Sequence, residues 1–129
     1  MSDIFKSGLE QRVADQLSSL KINYKYETMK IIYQKLAKRK CYIPDFILPN
    51  GIIIEAKGKF LTSDRKKHRL IRDQFGNKYD IRFLFSDSKI KIGNRSKTTY
   101  AKWCDLFNFK YCDLEIPESW INERKDNYE

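Results

Sequence analysis

Cysteine is scarce in this chain of 129 residues: Cys41, Cys104 and Cys112 are all it has, and no two form a C-x-x-C pair. An odd number cannot close a disulfide framework, and the spacing offers no structural zinc site. Long apolar runs are missing as well. No stretch approaches the ~18 residues of a bilayer-spanning helix, and Met1-Ser-Asp-Ile-Phe-Lys-Ser7 lacks the apolar segment of a secretory signal. A soluble, cytoplasmic protein that is not secreted is therefore expected, with no membrane partner and no small-molecule cofactor. Internal repeats, low-complexity tracts and Gly/Ser linkers are absent too, so residues 1–129 read as a single domain whose one hinge candidate is the segment 35–40.

What the chain has in excess is positive charge. Its 26 Lys+Arg against 17 Asp+Glu give +9, while 41% hydrophobic and 14% aromatic residues supply a core, which excludes a disordered basic tail. The charge is clustered in three acid-free stretches: Lys35-Leu-Ala-Lys-Arg-Lys40, Arg65-Lys-Lys-His-Arg-Leu-Ile-Arg72, and residues 89–102 with Lys89, Lys91, Arg95, Lys97 and Lys102. One such run is an ordinary solvated loop; three point to a polyanion, and a phosphate backbone is the commonest one in a cell. His68, the lone histidine, sits within the second run, either as a structural residue or as a phosphate contact.

Ser7-Gly-Leu-Glu10 matches an S-x-x-E capping box, and Leu9, Val13, Leu17 and Leu20 follow at helical spacing, which predicts a helix to about Leu20. Ile22, Tyr24 and Tyr26 alternate with Asn23, Lys25 and Glu27 as in a half-buried strand, continued by residues 29–33. Tyr24, Tyr26 and Tyr42 read as packing residues. Residues 42–48 and 52–58 form a hairpin about Pro49-Asn50-Gly51. Thr62 and Ser63 cap a helix over 64–75, with Lys67, Ile71 and Phe75 on a packed line and Arg65, Arg69 and Arg72 on a basic one. Residues 79–86 make another strand. A helix after Thr98-Thr99 buries Trp103, Leu106 and Phe107, residues 109–111 make a last short strand, and Pro117 opens a turn carrying Trp120 and Ile121. The order α-β-β-β-α-β-α-β defines a mixed α/β domain, a central sheet flanked by helices.

Turn length decides which side chains oppose one another in that hairpin. A two-residue loop would pair Asp45 with Ala56. A three-residue loop, with Leu48 opposite Ile52, sets Asp45 across from Glu55. Pro49 and Asn50 suit the first two positions of a type I turn, and Gly51 the left-handed position that closes a three-residue hairpin, so the second register is expected. Opposed Cβ atoms lie roughly 4.5–5.5 Å apart, where two carboxylates repel unless a cation lies between them. Alternation puts Lys57 on the face of Glu55, with Ile52, Ile54 and Ala56 toward the core. Oxygen ligands of this kind suit a hard ion, Mg²⁺ or Mn²⁺, and the ammonium can orient a water or steady developing charge. Pro44-Asp45 followed by Glu55-Ala56-Lys57 is the PD-(D/E)xK signature of metal-dependent nucleases, whose fold resembles that of restriction endonucleases. Glu10 has a structural explanation in its capping box, yet an acid on the first helix ahead of Asp and Glu-x-Lys is also the order in which this superfamily supplies ligands.

Ser7-Gly-Leu-Glu10, Tyr42-Ile-Pro-Asp-Phe46, Leu48-Pro-Asn-Gly-Ile52, Glu55-Ala-Lys-Gly58, Asp64-Arg-Lys-Lys-His68, Leu70-Ile-Arg72 and Ile116-Pro-Glu-Ser-Trp-Ile121 together resemble the bacteriophage endonuclease I group of Holliday-junction resolvases. The resemblance implies a homodimeric enzyme that cleaves branched DNA inside the host cell, using two Mg²⁺ or Mn²⁺ ions per site and leaving 5′-phosphate and 3′-hydroxyl ends. It makes Glu10, Asp45, Glu55 and Lys57 the catalytic set, with Asp45, Glu55 and the carbonyl of Ala56 around one ion and Glu10 serving a second ion or water. It also implies an intertwined dimer that exchanges residues 7–34 through a bridge at about 35–39, although this bridge, Lys-Leu-Ala-Lys-Arg, carries no proline. Phosphate contacts are expected from Arg65, Lys66, Lys67, Arg69 and Arg72 and from Lys89, Lys91, Arg95 and Lys97. Two rivals stand beside it: a restriction- or repair-type nuclease cutting linear duplex, and a non-catalytic basic nucleic-acid-binding module.

Overall fold

The computed structural model of the chain describes residues 5–124. Ser7 caps α1 (Gly8–Ser19), its hydroxyl accepting the Glu10 N–H at 3.1 Å, and Val13, Ala14 and Leu17 form the buried stripe. β1 (Lys25–Tyr26) follows, then β2 (Ile31–Lys35) and β3 (Lys38–Tyr42), then β4 (Phe46–Ile47) and β5 (Ile53–Lys57). After α2 (Thr62–Phe75) a single 3₁₀ turn leads into β6 (Ile81–Phe85), α3 (Tyr100–Leu106), β7 (Tyr111–Asp113) and α4 (Glu118–Ile121).

A five-stranded mixed sheet in the order β1-β4-β5-β6-β7 organises the domain. Its first two pairings are antiparallel; β5-β6 and β6-β7 are parallel, with α2 and α3 as the crossovers. Both faces are covered, as parallel strands require. On one side Val13, Ala14 and Leu17 of α1 pack on Ile52, Ile54 and Leu84. On the other, Ile71 of α2 packs with Ile53, Ile81 and Tyr42, and an aromatic cluster of Phe60, Phe83, Phe85, Trp103 and Phe109 lies alongside. Ile53 is thus as buried as Ile52 and Ile54, and it is Ala56 that is left partly exposed.

The β4-β5 register is the one the turn chemistry predicts. Phe46 pairs with Ile54 and Ile47 with Ile53, the Leu48 N–H donates to Ile52 O at 2.9 Å, and Gly51 takes φ +89°. Counted one residue outward, this register sets Asp45 across from Glu55.

Several elements differ from the sequence expectation. The strand expected to run from residue 22 to 33 is broken at Glu27, which adopts φ 51°, and β2 pairs with β3 in a separate two-stranded sheet. Residues 42–48 are divided too: Tyr42 closes β3, Pro44 has no N–H for a ladder, and only Phe46–Ile47 joins the main sheet. The turn of the small hairpin is Leu36-Ala37, with Leu36 at φ 56°; no glycine or asparagine announces it. The proposed bridge, 35–39, is therefore the tip of a hairpin in the single chain. α2 begins at Thr62, with Leu61 as its cap residue and the Asp64 carboxylate accepting the Leu61 N–H at 2.9 Å. Of the expected line through Lys67, Ile71 and Phe75, Ile71 is fully buried and Phe75 packs partly buried on the same cluster, while Arg65 and His68 are buried as well. In α3, Cys104 is buried and Leu106 is 66% exposed, and the last strand starts at Tyr111, after a left-handed turn at Asn108. Among the described residues no helix is long and apolar enough to cross a membrane.

Gly51 holds the register, because a side chain in the left-handed region costs about 1–2 kcal/mol. Gly51→Val is expected to lower the thermal midpoint by the equivalent of about that amount, measured by a circular-dichroism melt; an unchanged midpoint would mean that the loop closes differently.

Candidate active site

Asp45 immediately precedes β4, Glu55 and Lys57 lie at the middle and the end of β5, and Glu10 comes from the first turn of α1. Glu10, Asp45 and Glu55 are buried. The Asp45 N–H donates to Glu55 Oε1 at 3.3 Å, while Asp45 Oδ2 accepts the Ala56 N–H at 2.9 Å, so each acid is fixed partly by the other strand's backbone or side chain. Glu10 makes only half of the expected capping box: its backbone N–H is capped by Ser7, but its carboxylate turns to the Lys6 N–H at 3.4 Å and to the Tyr26 hydroxyl. Glu10, Glu27 and Asp45 each bring a carboxylate oxygen within 4.8 Å of one another.

Three contacts here were not legible in the sequence. Glu27 belonged by alternation to the solvent-facing set with Asn23 and Lys25; its left-handed φ turns it to the acids instead, and its N–H donates to Asp45 O at 2.9 Å. Lys6 bridges Glu27 at 3.0 Å. Asp64, four residues ahead of His68 on α2, accepts from Lys57 Nζ at 3.0 Å, and that ammonium also lies 3.7 Å from Glu55 Oε2. Tyr26 and Tyr42 do more than pack, since Tyr42 donates to Glu55 Oε1 at 2.8 Å.

The electrostatics follow from burial and like charge. Burial, then the charges of Glu55 and Glu10, push the Asp45 carboxyl well above the usual carboxylate range, against the Ala56 N–H and Lys57. Burial raises Glu55 too, with Lys57, Tyr42 and Lys67 opposing it. For Lys57, burial works against the ammonium, but Glu55 and Asp64 outweigh it and hold the group above its ordinary value.

The basic residues divide into two kinds. Arg65 is 9% exposed and donates to Phe60 O and, at 3.0 Å, to Thr62 Oγ1. Arg72 donates to Asn108 O at 3.0 Å with its guanidinium 4.0 Å from the centre of the Phe109 ring. Both are engaged within the fold. Lys66 and Arg69 are exposed, and Lys67 is half-buried over the Tyr42 ring at 5.0 Å. Lys89, Lys91, Arg95 and Lys97 are exposed on the loop that follows β6. Because β5 and β6 are parallel, with Lys57 opposite Phe85, this loop leaves the sheet at the same end as Lys57. His68 cannot meet a phosphate: it is wholly buried, edge-on to Tyr42 and Phe83 with ring centroids 4.9 and 4.8 Å away, and burial drives its pKa well down.

A mixed sheet with buried acids, a lysine at one end and exposed cations beside them is the working surface of an enzyme that handles a polyanion. The comparisons give the family. Residues 1–129 match the family described as phage endonuclease I. Over 121 residues the chain is 46% identical to "Endonuclease I" of Escherichia phage T7, covering 94% of this chain and 80% of that protein. It is 44% identical to "Endodeoxyribonuclease 1" of Enterobacteria phage T3 over 121 residues, 94% of this chain and 79% of the other. The chain belongs to the phage endonuclease I family, and it is a nuclease.

Carboxyls raised above their unfolded values contribute stability that is complete below the ordinary carboxylate range and is lost as pH rises through the raised values. With a chelator present, the melting temperature is expected to fall between about pH 5 and about pH 8, and Asp45→Asn is expected to flatten that slope. A flat curve for the unsubstituted protein would contradict the burial of these acids.

Proposed function

We propose that this nuclease is a divalent-cation-dependent endodeoxyribonuclease that resolves four-way (Holliday) junctions and other branched DNA in phage recombination and DNA processing. It hydrolyses phosphodiesters to leave 5′-phosphate and 3′-hydroxyl ends. One observation carries the reading: two buried acids, Asp45 and Glu55, meet across one antiparallel strand pair with Lys57 beside them. The names of the T7 and T3 relatives agree with it, and so does the PD-(D/E)xK nuclease architecture, in which a mixed sheet presents Pro-Asp and Glu-x-Lys on neighbouring strands.

The donor set suits a hard cation, since it is made of carboxylates that are buried, crowded by one another's charge and raised until positive charge arrives. Asp45, Glu55 and the carbonyl of Ala56 would hold one Mg²⁺ or Mn²⁺, and Glu10 with Asp45 a second, with Glu27 in reach of that pair. Such an ion supplies Lewis acidity, easing deprotonation of the attacking water and neutralising phosphate charge. Lys57, anchored by Asp64, is placed to orient the water and to steady negative charge as it develops. Lys66, Lys67 and Arg69, with Lys89, Lys91, Arg95 and Lys97, hold the backbone through phosphates, so selectivity comes from the shape of the DNA rather than from its bases.

A two-fold dimer has two such sites and can nick two strands of a junction symmetrically. The hairpin tip favours exchange. Leu36 is 92% exposed and sits in the left-handed region, so a two-residue turn under strain joins residues 7–34 to the rest of the site. Opening that turn lets Glu10 of one protomer complete the site of Asp45, Glu55 and Lys57 on its partner.

In Mg²⁺, Asp45→Asn and Glu55→Gln are each expected to slow cleavage of a four-way junction about 10²-fold or more while junction binding persists. Equal cleavage of an equal-length duplex would sink junction specificity, and an uncut junction in Mg²⁺ and Mn²⁺ would sink the metal-dependent reading. Relieving the turn by Leu36→Gly is expected to shift the protein from dimer toward monomer in sedimentation equilibrium; a wild-type monomer at all concentrations would rule exchange out.

A further inference from the structure

Glu10 and Glu55 each have one oxygen already committed. Glu55 Oε1 accepts the Tyr42 hydroxyl at 2.8 Å and the Asp45 N–H at 3.3 Å. Glu10 Oε1 accepts the Tyr26 hydroxyl and the Lys6 N–H at 3.4 Å. In both, a phenol and a main-chain N–H converge on the same oxygen, so Oε1 is the committed one. On Glu55 the other oxygen, Oε2, is 3.7 Å from Lys57 Nζ.

We propose that Tyr26 and Tyr42 are positioning residues that make Glu10 and Glu55 single-oxygen ligands, and thereby set the site's preference for a small octahedral cation over a larger one. This rests on the metal-dependent reading above and adds to it the residues that govern which ion is taken. A carboxylate with both oxygens free can chelate, which suits Ca²⁺ with its six to eight ligands at roughly 2.3–2.6 Å; Mg²⁺ requires near-ideal octahedral geometry at roughly 2.0–2.1 Å. Occupying one oxygen with a fixed donor removes the chelating option.

Both phenols are held firmly enough for this role. Tyr42 is 2% exposed, edge-on to His68 at 4.9 Å. Tyr26 is wedged between Phe5 and Phe46, with centroids 4.7 and 5.1 Å away.

The test uses the full chain with Tyr26→Phe and Tyr42→Phe, which keep the rings and remove only the hydroxyls. Titration calorimetry without DNA measures Mn²⁺, which shares the octahedral preference of Mg²⁺, and Ca²⁺; thermal melts report folding. In each variant Mn²⁺ affinity is expected to fall about tenfold and Ca²⁺ affinity to fall less, so that their ratio drops. The Mg²⁺ concentration for half-maximal junction cleavage should rise in parallel. Unchanged affinities, or equal losses for the two ions, overturn the assignment. If Tyr42→Phe fails to fold, Tyr26→Phe, whose ring is only partly buried, decides it alone. A wild-type protein that binds neither ion overturns the metal-dependent reading along with the assignment, whereas variants that match a metal-binding wild type overturn the assignment only.

Discussion

Two carboxylates forced to face each other away from water are the constraint on which the rest of this molecule depends. Asp45 and Glu55 are 8% and 4% exposed, and Glu10 and Glu27 bring two further acids to the same edge of the sheet. Left alone, such a group would neutralise itself by protonation or push the strands apart. The fold answers with fixed donors: the N–H groups of Ala56 and Asp45, two phenols, and the ammonium of Lys57 tied to Asp64. These orient the acids and oppose only part of the rise that burial imposes on Asp45 and Glu55, so the cluster is left short of positive charge, as a site for a hard cation would be.

The sequence revealed the heart of this site because the information is local. Pro49-Asn50-Gly51 specifies a three-residue loop, and the loop alone decides that Asp45 lies opposite Glu55. What could not be read depends on backbone conformations that the residue types do not announce. Leu36 and Glu27 both adopt left-handed φ without being glycine or asparagine, so the β2-β3 hairpin and the inward turn of Glu27 leave no mark in the pattern. The helical face of α2 misled for another reason. Charge was assigned to solvent, yet Arg65 is long enough to return its guanidinium to Phe60 O inside the fold, and His68 is accepted in the core as a neutral ring.

The same helix shows how a run of basic residues divides between the fold and the surface. Arg65 and Arg72 have planar forks that satisfy backbone carbonyls at the ends of neighbouring segments, and Arg72 adds a stacking contact on Phe109. Arg65 closes the start of the helix on Phe60 and Thr62, and Arg72 ties the helix to the segment after α3. Lys66, with a single mobile charge, remains in solvent, and Lys67 lies over Tyr42 close enough to act on Glu55. Net charge therefore overstates the surface left for a polyanion, and the cations that remain gather where the loop after β6 and the exposed side of α2 flank the acids.

Glu10 ties the site to the way the chain is assembled. It is the one acid of the candidate site carried by α1, and it lies in the first turn, where the helix N-terminus favours negative charge. Everything that holds it, namely Ser7, Lys6 and Tyr26, lies in the segment ahead of the Leu36-Ala37 turn, whereas Asp45, Glu55, Lys57, Tyr42 and Asp64 lie behind it. The site is thus divided between two parts of the chain, each with its own acids and its own phenol, and α1 docks onto the sheet through Val13, Ala14 and Leu17. The two parts are joined through the exposed Leu36-Ala37 turn, so in the exchanged dimer proposed above it is that turn that would decide which copy supplies Glu10. That connection is exposed and holds leucine in a left-handed conformation that its Cβ disfavours, so opening it would release local strain.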